Sequence, residues 1–123
     1  LGRWGERLAA NHLQSLGYTL LAQNVRTPHG ELDLIALQPA SVTDAVPTQV
    51  FIEVRRHAST ALGTPELSIT PAKQEHIRCS AAYYLQTHPD QAQGAEWRVD
   101  VIAIRRLDPQ SPPEITHFEN AFA

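Results

Sequence analysis

The sequence predicts an α/β sandwich in which a mixed sheet of about five strands is flanked by helices. The periodicity of apolar residues changes along the chain in the order helix, three strands, helix, two strands. Short connections suit antiparallel pairing of the first three strands, whereas the second helix carries the chain across to the fourth. The length of 123 residues suits one core, so we expect a single domain covering 1–123.

Both predicted helices have terminal signals. In residues 3–15 apolar side chains recur at three- and four-residue spacing, and Gly17 is expected to end the helix. The second helix opens at Thr70 and Pro71, an N-cap followed by a first-turn proline, and continues toward residue 87. Its predicted apolar face consists of Ile77, Ala81, Tyr84 and Leu85.

Strand-forming residues mark five further segments, which cover residues 18–25, 31–37, 49–56, 97–104 and 114–118. The proline and glycine of residues 27–30 predict a hairpin turn between the first two strands. We expect an exposed loop over 38–48, an irregular segment over 57–69 and a polar loop over 88–95.

Composition excludes several classes of function. The apolar stretches are strand-sized, so no membrane span is expected, and a single cysteine, Cys79, permits no internal disulfide. The N-terminal residues have no signal-peptide pattern, and the cytoplasm is the expected compartment. The formal charge of −3 disfavours passive binding to phosphate backbones, so any nucleic-acid contact needs a local basic face or a bound cation.

The histidines and tryptophans give no sign of a different chemistry. The histidines lack the spacing of zinc ligands, and no phosphate-binding glycine loop or nucleophile elbow is present. We expect five histidines to be surface or capping residues, and Trp4 and Trp97 to be core residues. The five histidines are His12, His29, His76, His88 and His117.

Two acidic residues stand out on neighbouring predicted strands. Asp33 and Glu53 are each flanked by apolar residues, and a carboxylate among apolar neighbours is costly unless another group satisfies it. Two such groups repel each other when they meet, and a hard divalent cation is one remedy. The alternative is that each side chain points to solvent on the polar face of its strand.

The sequence around this pair resembles the PD-(D/E)xK arrangement, an acid on a short strand followed by an acid-x-basic triplet. The matching segments are Gly30-Glu31-Leu32-Asp33-Leu34-Ile35 and Val50-Phe51-Ile52-Glu53-Val54-Arg55. The chain more narrowly resembles the YraN-like family of small bacterial proteins, grouped with restriction-endonuclease-like and Holliday-junction-resolvase-like folds. Further matches are Gly2-x-x-Gly5-Glu6-x-x-Ala9, Gly17-Tyr18, Asn24, Lys73, Arg98-x-Asp100-Val101 and Asn120-Ala121-Phe122.

The resemblance implies a restriction-endonuclease-like three-layer sandwich and a site that binds Mg²⁺ or Mn²⁺. It makes Asp33 and Glu53 the metal ligands, adds the Val54 carbonyl as a third, and places Glu6 of the first helix at the same site. It implies metal-assisted hydrolysis of phosphodiester bonds. The catalytic residues would be Asp33, Glu53, Arg55 and Lys73. Glu31 is either a supporting acid beside Asp33 or a surface charge.

The basic residues depart from the usual motif, because Arg55 stands where the motif usually has lysine. Arginine stays protonated and cannot act as a base, although it can clamp a phosphate with two hydrogen bonds. Lys73 either supplies the missing amine or is a solvated helix-surface lysine. Arg55 and Arg56 suit phosphate contact at a strand end, and with Lys73 they form the expected nucleic-acid-binding set.

Two functions from different classes follow. The first is a metal-dependent DNA endonuclease acting on branched or damaged DNA, and the second is a catalytically inactive nucleic-acid-binding or scaffold protein that retains the nuclease fold. A protein-interaction module without a nucleic-acid role is a third alternative. The expected partner is DNA, and the resolvase-like relatives also imply a homodimer as an alternative to a monomer.

Overall fold

The computed structural model describes residues 3–40, 46–57, 69–92, 96–106 and 108–122. Helix α1 spans Trp4–Ser15 and is followed by strands β1 (Thr19–Thr27), β2 (Gly30–Gln38) and β3 (Thr48–His57). Helices α2 (Pro71–Thr87) and α3 (Pro89–Ala92) precede strands β4 (Glu96–Arg105) and β5 (Glu114–Phe118). No described helix is both long enough and apolar enough to cross a membrane.

The five strands form one sheet in the order β1-β2-β3-β4-β5. Strands β3 and β4 run parallel, and the other neighbours are antiparallel. A parallel pair needs a crossover connection, and α2 lies in the chain between β3 and β4. The predicted mixed sheet of the restriction-endonuclease-like α/β sandwich is therefore confirmed.

Helix α1 ends as its sequence predicts. Gly17 has a φ of 90°, which favours glycine, and the Tyr18 N–H donates to the Leu13 carbonyl across the helix end. The buried face comprises Gly5, Ala9, Ala10 and Leu13, whose small residues let the helix lie close to the sheet.

Helix α2 begins as predicted and covers the opposite face of the sheet. The Thr70 hydroxyl accepts a hydrogen bond from the Lys73 N–H at 3.1 Å, and Pro71 occupies the first turn. Ile77, Ala81 and Tyr84 are buried, which confirms most of the predicted apolar face. The cap fixes Lys73 in the first turn, at the end of α2 that reaches β3.

The apolar core is divided between the two faces of the sheet, because successive strand residues point to opposite sides. The side facing α1 holds Ala9, Ala10, Leu13, Tyr18, Leu34, Ala36, Val50, Ile52, Ile102 and Ile104. The side facing α2 holds Leu32, Ile35, Phe51, Ile69, Ile77, Ala81, Tyr84, Val99 and Val101. Both faces are thus covered, which gives three layers.

Two predictions about the fold were wrong, and two predicted segments lie partly outside the residues that the structure describes. The segment predicted as a polar loop over 88–95 contains the short helix α3, which follows directly after α2. Trp97 is 42% exposed instead of buried, although its ring meets that of Phe51 edge-on, with 5.9 Å between the ring centroids. Most of the segment predicted as irregular, 58–68, and part of the predicted loop, 41–45, lie outside the described residues.

A buried carboxylate joins the strands at one end of the sheet. Asp100 is fully buried and accepts hydrogen bonds from Arg98 at 2.9 and 3.2 Å, and from the Asn120 N–H at 2.9 Å. A nitrogen of His117 lies 2.7 Å from the same carboxylate and its side chain is mostly buried, so the expectation that His117 is a surface or capping residue was wrong. Burial alone would raise the pKa of Asp100, but the hydrogen bonds outweigh it and hold that pKa below its usual value.

We expect Asp100→Asn to lower the free energy of unfolding by about 3 kcal/mol at pH 7, since breaking a buried ion pair leaves its partners uncompensated. The folded-state pKa of Asp100 lies below the ordinary 3.8, so its charge stabilises the fold above that pH. The stabilisation is lost as pH falls through the folded-state pKa. Urea unfolding at pH 7 and pH 3 checks this, with exposed Asp108→Asn as the control. Equal losses for both variants at pH 7 would contradict it.

Candidate metal centre

The site begins where β2 and β3 separate. Their pairing runs from Gln38↔Thr48 to Leu34↔Ile52 and stops there. Immediately beyond it, an Asp33 carboxylate oxygen accepts a hydrogen bond from the Val54 N–H at 2.8 Å. The Asp33 side chain thus satisfies a backbone donor of β3 near the point where the ladder ends.

The backbone around Asp33 also departs from regular alternation. Leu32 packs on the α2 side of the sheet, whereas Leu34, two residues later, packs on the α1 side. The register of β1 with β2 passes from Gln23↔Leu34 to Val25↔Leu32, so Asn24 lies opposite Asp33. Asn24 has a φ of 52°, a left-handed conformation that asparagine tolerates better than most residues. The irregularity turns Asp33 toward β3.

Glu53 lies beside Asp33 on β3, buried with 7% of its surface exposed. Burial raises the pKa of Glu53 to about 7, and the neighbouring charge of Asp33 and a side-chain hydrogen bond with Asp33 act in the same direction. The structure therefore brings the two acids together. We refer to Asp33 and Glu53 as the acid pair.

Two cations converge on one oxygen of Glu53. The Lys73 ammonium lies 3.9 Å from Glu53 Oε2, and the Arg55 guanidinium lies 4.0 Å from the same oxygen. Both charges lower the pKa of Glu53 but do not cancel the effect of burial. Lys73 comes from α2 and Arg55 from β3, so the site is assembled from two layers of the fold. The side chain of Lys73 is 44% exposed, which leaves its amine accessible to solvent.

Of the other residues predicted for this site, Glu31 is not part of it. Glu31 is exposed and lies 4.0 Å from Arg26, so it is a surface charge and does not support Asp33. Glu6 lies on α1, and one of its carboxylate oxygens is buried without a hydrogen-bond partner among the described residues. The N–H of Val54 is bonded to Asp33, while its carbonyl remains a predicted ligand. Arg56 is exposed and packs against Gly5 of α1, away from Arg55.

The donor set suits a hard cation. Within the described ranges no group of three or more His, Cys, Asp or Glu could hold a metal ion, so Glu6 does not complete a triad with the acid pair. Mg²⁺ is commonly held by one or two carboxylates, with waters and substrate phosphates in its other positions. Two carboxylates and a backbone carbonyl fit that pattern, and they do not fit the nitrogen and sulfur ligands typical of zinc.

A family model described as "Uncharacterised protein family UPF0102" matches residues 5–104. The chain belongs to this family. Proteins named UPF0102 from Syntrophomonas wolfei and Thermodesulfovibrio yellowstonii are each 38% identical over 99% of this chain, covering 96% and 95% of their own lengths. A UPF0102 protein from Herpetosiphon aurantiacus is 40% identical over 97% of this chain and 90% of its own. The family resemblance inferred from the motifs is thereby confirmed.

The UPF0102 match runs from Gly5 in α1 to Ile104 in β4 and includes the acid pair, Arg55 and Lys73. Sequence reasoning found these four residues but missed how Asp33 is held. The hydrogen bond to the Val54 N–H has no signature of its own in the sequence. An asparagine opposite the acid, in a strand of otherwise extended residues, is the one signal that could have indicated the irregular backbone.

We expect the apo UPF0102 chain to lose stability as pH rises from about 5 to about 7. The pKa of Glu53 is raised from 4.5 to about 7 on folding, so the folded chain holds the proton more tightly than the unfolded chain across that window. Glu53→Gln should remove this slope, because glutamine does not titrate. Urea unfolding with EDTA at pH 5, 6 and 7 measures it, and exposed Glu96→Gln is the control. Parallel pH profiles for wild type and Glu53→Gln would contradict the expectation.

Proposed function

We propose that this UPF0102 chain is a Mg²⁺- or Mn²⁺-dependent endonuclease that hydrolyses phosphodiester bonds in DNA, with branched or damaged DNA as its substrate class. The observation that supports it most is the buried acid pair with two cations about 4 Å from one Glu53 oxygen. A buried carboxylate whose pKa is raised, next to a second carboxylate and fixed positive charge, is typical of functional sites.

The acid pair would hold the cation, with the Val54 carbonyl as the third protein ligand. A bound Mg²⁺ or Mn²⁺ would polarise a phosphate oxygen and would lower the pKa of a water molecule bound to the metal. Asp33 is already oriented by the Val54 N–H at 2.8 Å. A ligand that is fixed before the cation arrives needs little rearrangement on binding.

The two cations have different chemical capabilities. Arg55 is permanently protonated and forms a planar fork, which suits it to hold a phosphate through two hydrogen bonds. Lys73 carries a compact ammonium on a flexible stem, so it can orient the attacking water or neutralise charge at the phosphate. We assign the phosphate clamp to Arg55 and the role of the usual motif lysine to Lys73. Their convergence on Glu53 Oε2 supports both assignments.

A second candidate is a DNA-binding protein that retains the fold without turnover. It is favoured by Arg55 at the position of the motif lysine and by Lys73 being nearly half exposed. In that case the acid pair would bind a cation that only offsets its own repulsion. The two candidates differ in one observable property, which is DNA cleavage. Only the nuclease cleaves DNA, and its cleavage requires the acid pair.

A cleavage panel separates these candidates. The chain is incubated with single-stranded, duplex, flap and four-way-junction DNA in Mn²⁺, in Mg²⁺ and in EDTA, beside its Glu53→Gln variant. The nuclease proposal expects products in Mn²⁺ or Mg²⁺ that are absent in EDTA and absent with Glu53→Gln. Products that persist with Glu53→Gln would indicate a contaminant. No products from any DNA would overturn the proposal and leave the binding protein in its place.

A further inference from the structure

Exposed arginines gather where α1 begins and where β3 and β4 end. Arg3 is the N-cap residue of α1 and Arg7 lies near the start of that helix. Arg56 lies near the end of β3, and Arg106 directly follows β4. All four are exposed. We call this set the arginine end. Because β3 and β4 are parallel, their carboxyl ends lie side by side, with Arg56 paired to Ile104 in the register.

Contacts with α1 hold two of these arginines in place. The guanidinium of Arg106 lies over the ring of Trp4, 4.8 Å from its centroid. The stem of Arg56 packs along Gly5 so closely that a Cβ there would lie 2.9 Å from Arg56 Cδ. Glycine at this position therefore lets the arginine lie against the helix. Side chains immobilised in this way lose less entropy when they bind a ligand.

Alternation along β3 divides its two arginines between the faces of the sheet. Arg55 contacts Glu53, whereas Arg56 contacts α1 on the other side. Arg56 follows Glu53 by three residues, a distance of about 10 Å along an extended strand. One DNA strand advances 3.4 Å of helix axis per nucleotide, so about three nucleotides separate the acid pair from Arg56. Arg56 is on the opposite face of the sheet from Glu53, so a duplex held at the acid pair would have to extend past the carboxyl end of β3 to meet the arginine end.

The local charge differs from that of the whole chain, which has a formal charge of −3. Among the described residues, none of the four arginines has a carboxylate partner within ion-pair distance. The nearby acids are Glu6, which is partly buried, and the exposed Asp108 and Glu114, the second of which pairs with Arg105 at the end of β4. Other exposed acids lie on β2, α2, α3 and near the start of β4 and the end of β5, as Glu31, Glu75, Asp90, Glu96 and Glu119.

We propose that the arginine end binds the phosphate backbone of duplex DNA beside the phosphate that the acid pair contacts. The inference rests on the proposed function, because it takes the acid pair as the place where that phosphate lies. Arginine forks match phosphate geometry, and clustered arginines without carboxylate partners have their positive charge available to a polyanion. Contacts with the backbone position the duplex and do not read its sequence.

The test compares a double variant, Arg56→Gln with Arg106→Gln, against Arg26→Gln, which removes one exposed arginine on β1. Affinity for a duplex is measured in Ca²⁺ at several salt concentrations. We expect the double variant to bind about tenfold more weakly, with the slope of log K against log salt smaller in magnitude by about 2. Arg26→Gln should bind like the wild type. Circular dichroism confirms that each variant is folded.

The proposal for the arginine end is overturned if the double variant has the same slope of log K against log salt as the wild type. It is also overturned if the wild type does not bind duplex DNA. Mn²⁺ affinity should be equal in the double variant and the wild type, because neither arginine touches the acid pair. If the double variant binds duplex DNA weakly while the wild type cleaves no DNA, the arginine end binds DNA and the nuclease proposal fails. If the wild type cleaves DNA and the double variant binds duplex DNA as the wild type does, the nuclease proposal is supported and the proposal for the arginine end fails.

Discussion

Asp33→Asn is expected to weaken Mn²⁺ binding at least about tenfold, or about 1.4 kcal/mol. It should also reduce metal-dependent cleavage at least about 1,000-fold, or about 4 kcal/mol in transition-state stabilisation. The substitution removes one formal charge and one good oxygen ligand from the acid pair. The fold should persist or become slightly more stable, because the repulsion that raises the pKa of Glu53 is relieved.

The hydrogen bond to Val54 makes asparagine the informative replacement. An asparagine oxygen can still accept from the Val54 N–H, which now donates to Asp33 at 2.8 Å. Asp33→Ala removes that acceptor as well and should cost about 1–3 kcal/mol of stability. Loss of metal binding in both variants, with loss of stability only in alanine, would separate the two roles of Asp33.

Isothermal titration with Mn²⁺ and urea unfolding measure the two effects. Glu31→Gln is the matched control, since it removes one carboxylate from the same strand at an exposed position beside Arg26. Its Mn²⁺ affinity should equal that of the wild type. Unchanged Mn²⁺ affinity in Asp33→Asn would count decisively against the acid pair as a metal site.

Arg55 is the residue on which the choice of function depends. Arg55→Lys should retain DNA binding and keep or raise cleavage, since it restores the usual motif. Arg55→Ala should lose cleavage and weaken DNA binding, because nothing then clamps the phosphate beside Glu53. Lys73→Gln should reduce cleavage while leaving duplex affinity nearly unchanged, because the Lys73 ammonium is proposed to orient the attacking water and not to bind the phosphate backbone.

Cleavage rate and affinity for a four-way junction are measured for these variants and the wild type, in Mn²⁺ at two salt concentrations. For a binding protein, no variant creates or abolishes cleavage, and Arg55→Ala weakens binding by an amount that shrinks as salt rises. If no protein cleaves any DNA, the nuclease assignment fails. Equal loss of cleavage in Arg55→Lys and Arg55→Ala would instead show that the arginine fork itself is required.

Local signals in the sequence were sufficient for most of the fold. The spacing of apolar residues and Gly17 predicted α1, and Thr70 with Pro71 predicted where α2 begins. These features act within a few residues of each other, so they can be interpreted without knowing the rest of the chain. The short helix α3 was missed because it has only four residues, fewer than a periodic pattern needs.

The composition of the candidate site was also largely determined by the sequence. An acid between apolar neighbours on each of two adjacent strands predicted that Asp33 and Glu53 meet, and the structure brings them together. Alternation along a strand is a strong constraint, because a shift of one residue would expose the whole apolar face. That constraint cannot say which buried acids are satisfied by other groups. Asp100, which takes hydrogen bonds from Arg98, His117 and Asn120, was recognised only as part of a motif.

Tertiary structure alone decided the remaining relations. It brought Lys73 of α2 to 3.9 Å from Glu53, twenty residues earlier in the chain, and packed the stem of Arg56 against Gly5 of α1. It also bonded Asp33 to the Val54 N–H at the end of the β2–β3 ladder. Each of these contacts depends on how a helix crosses the sheet or where two strands separate. Those geometries arise from packing across the whole core, so no short stretch of sequence encodes them.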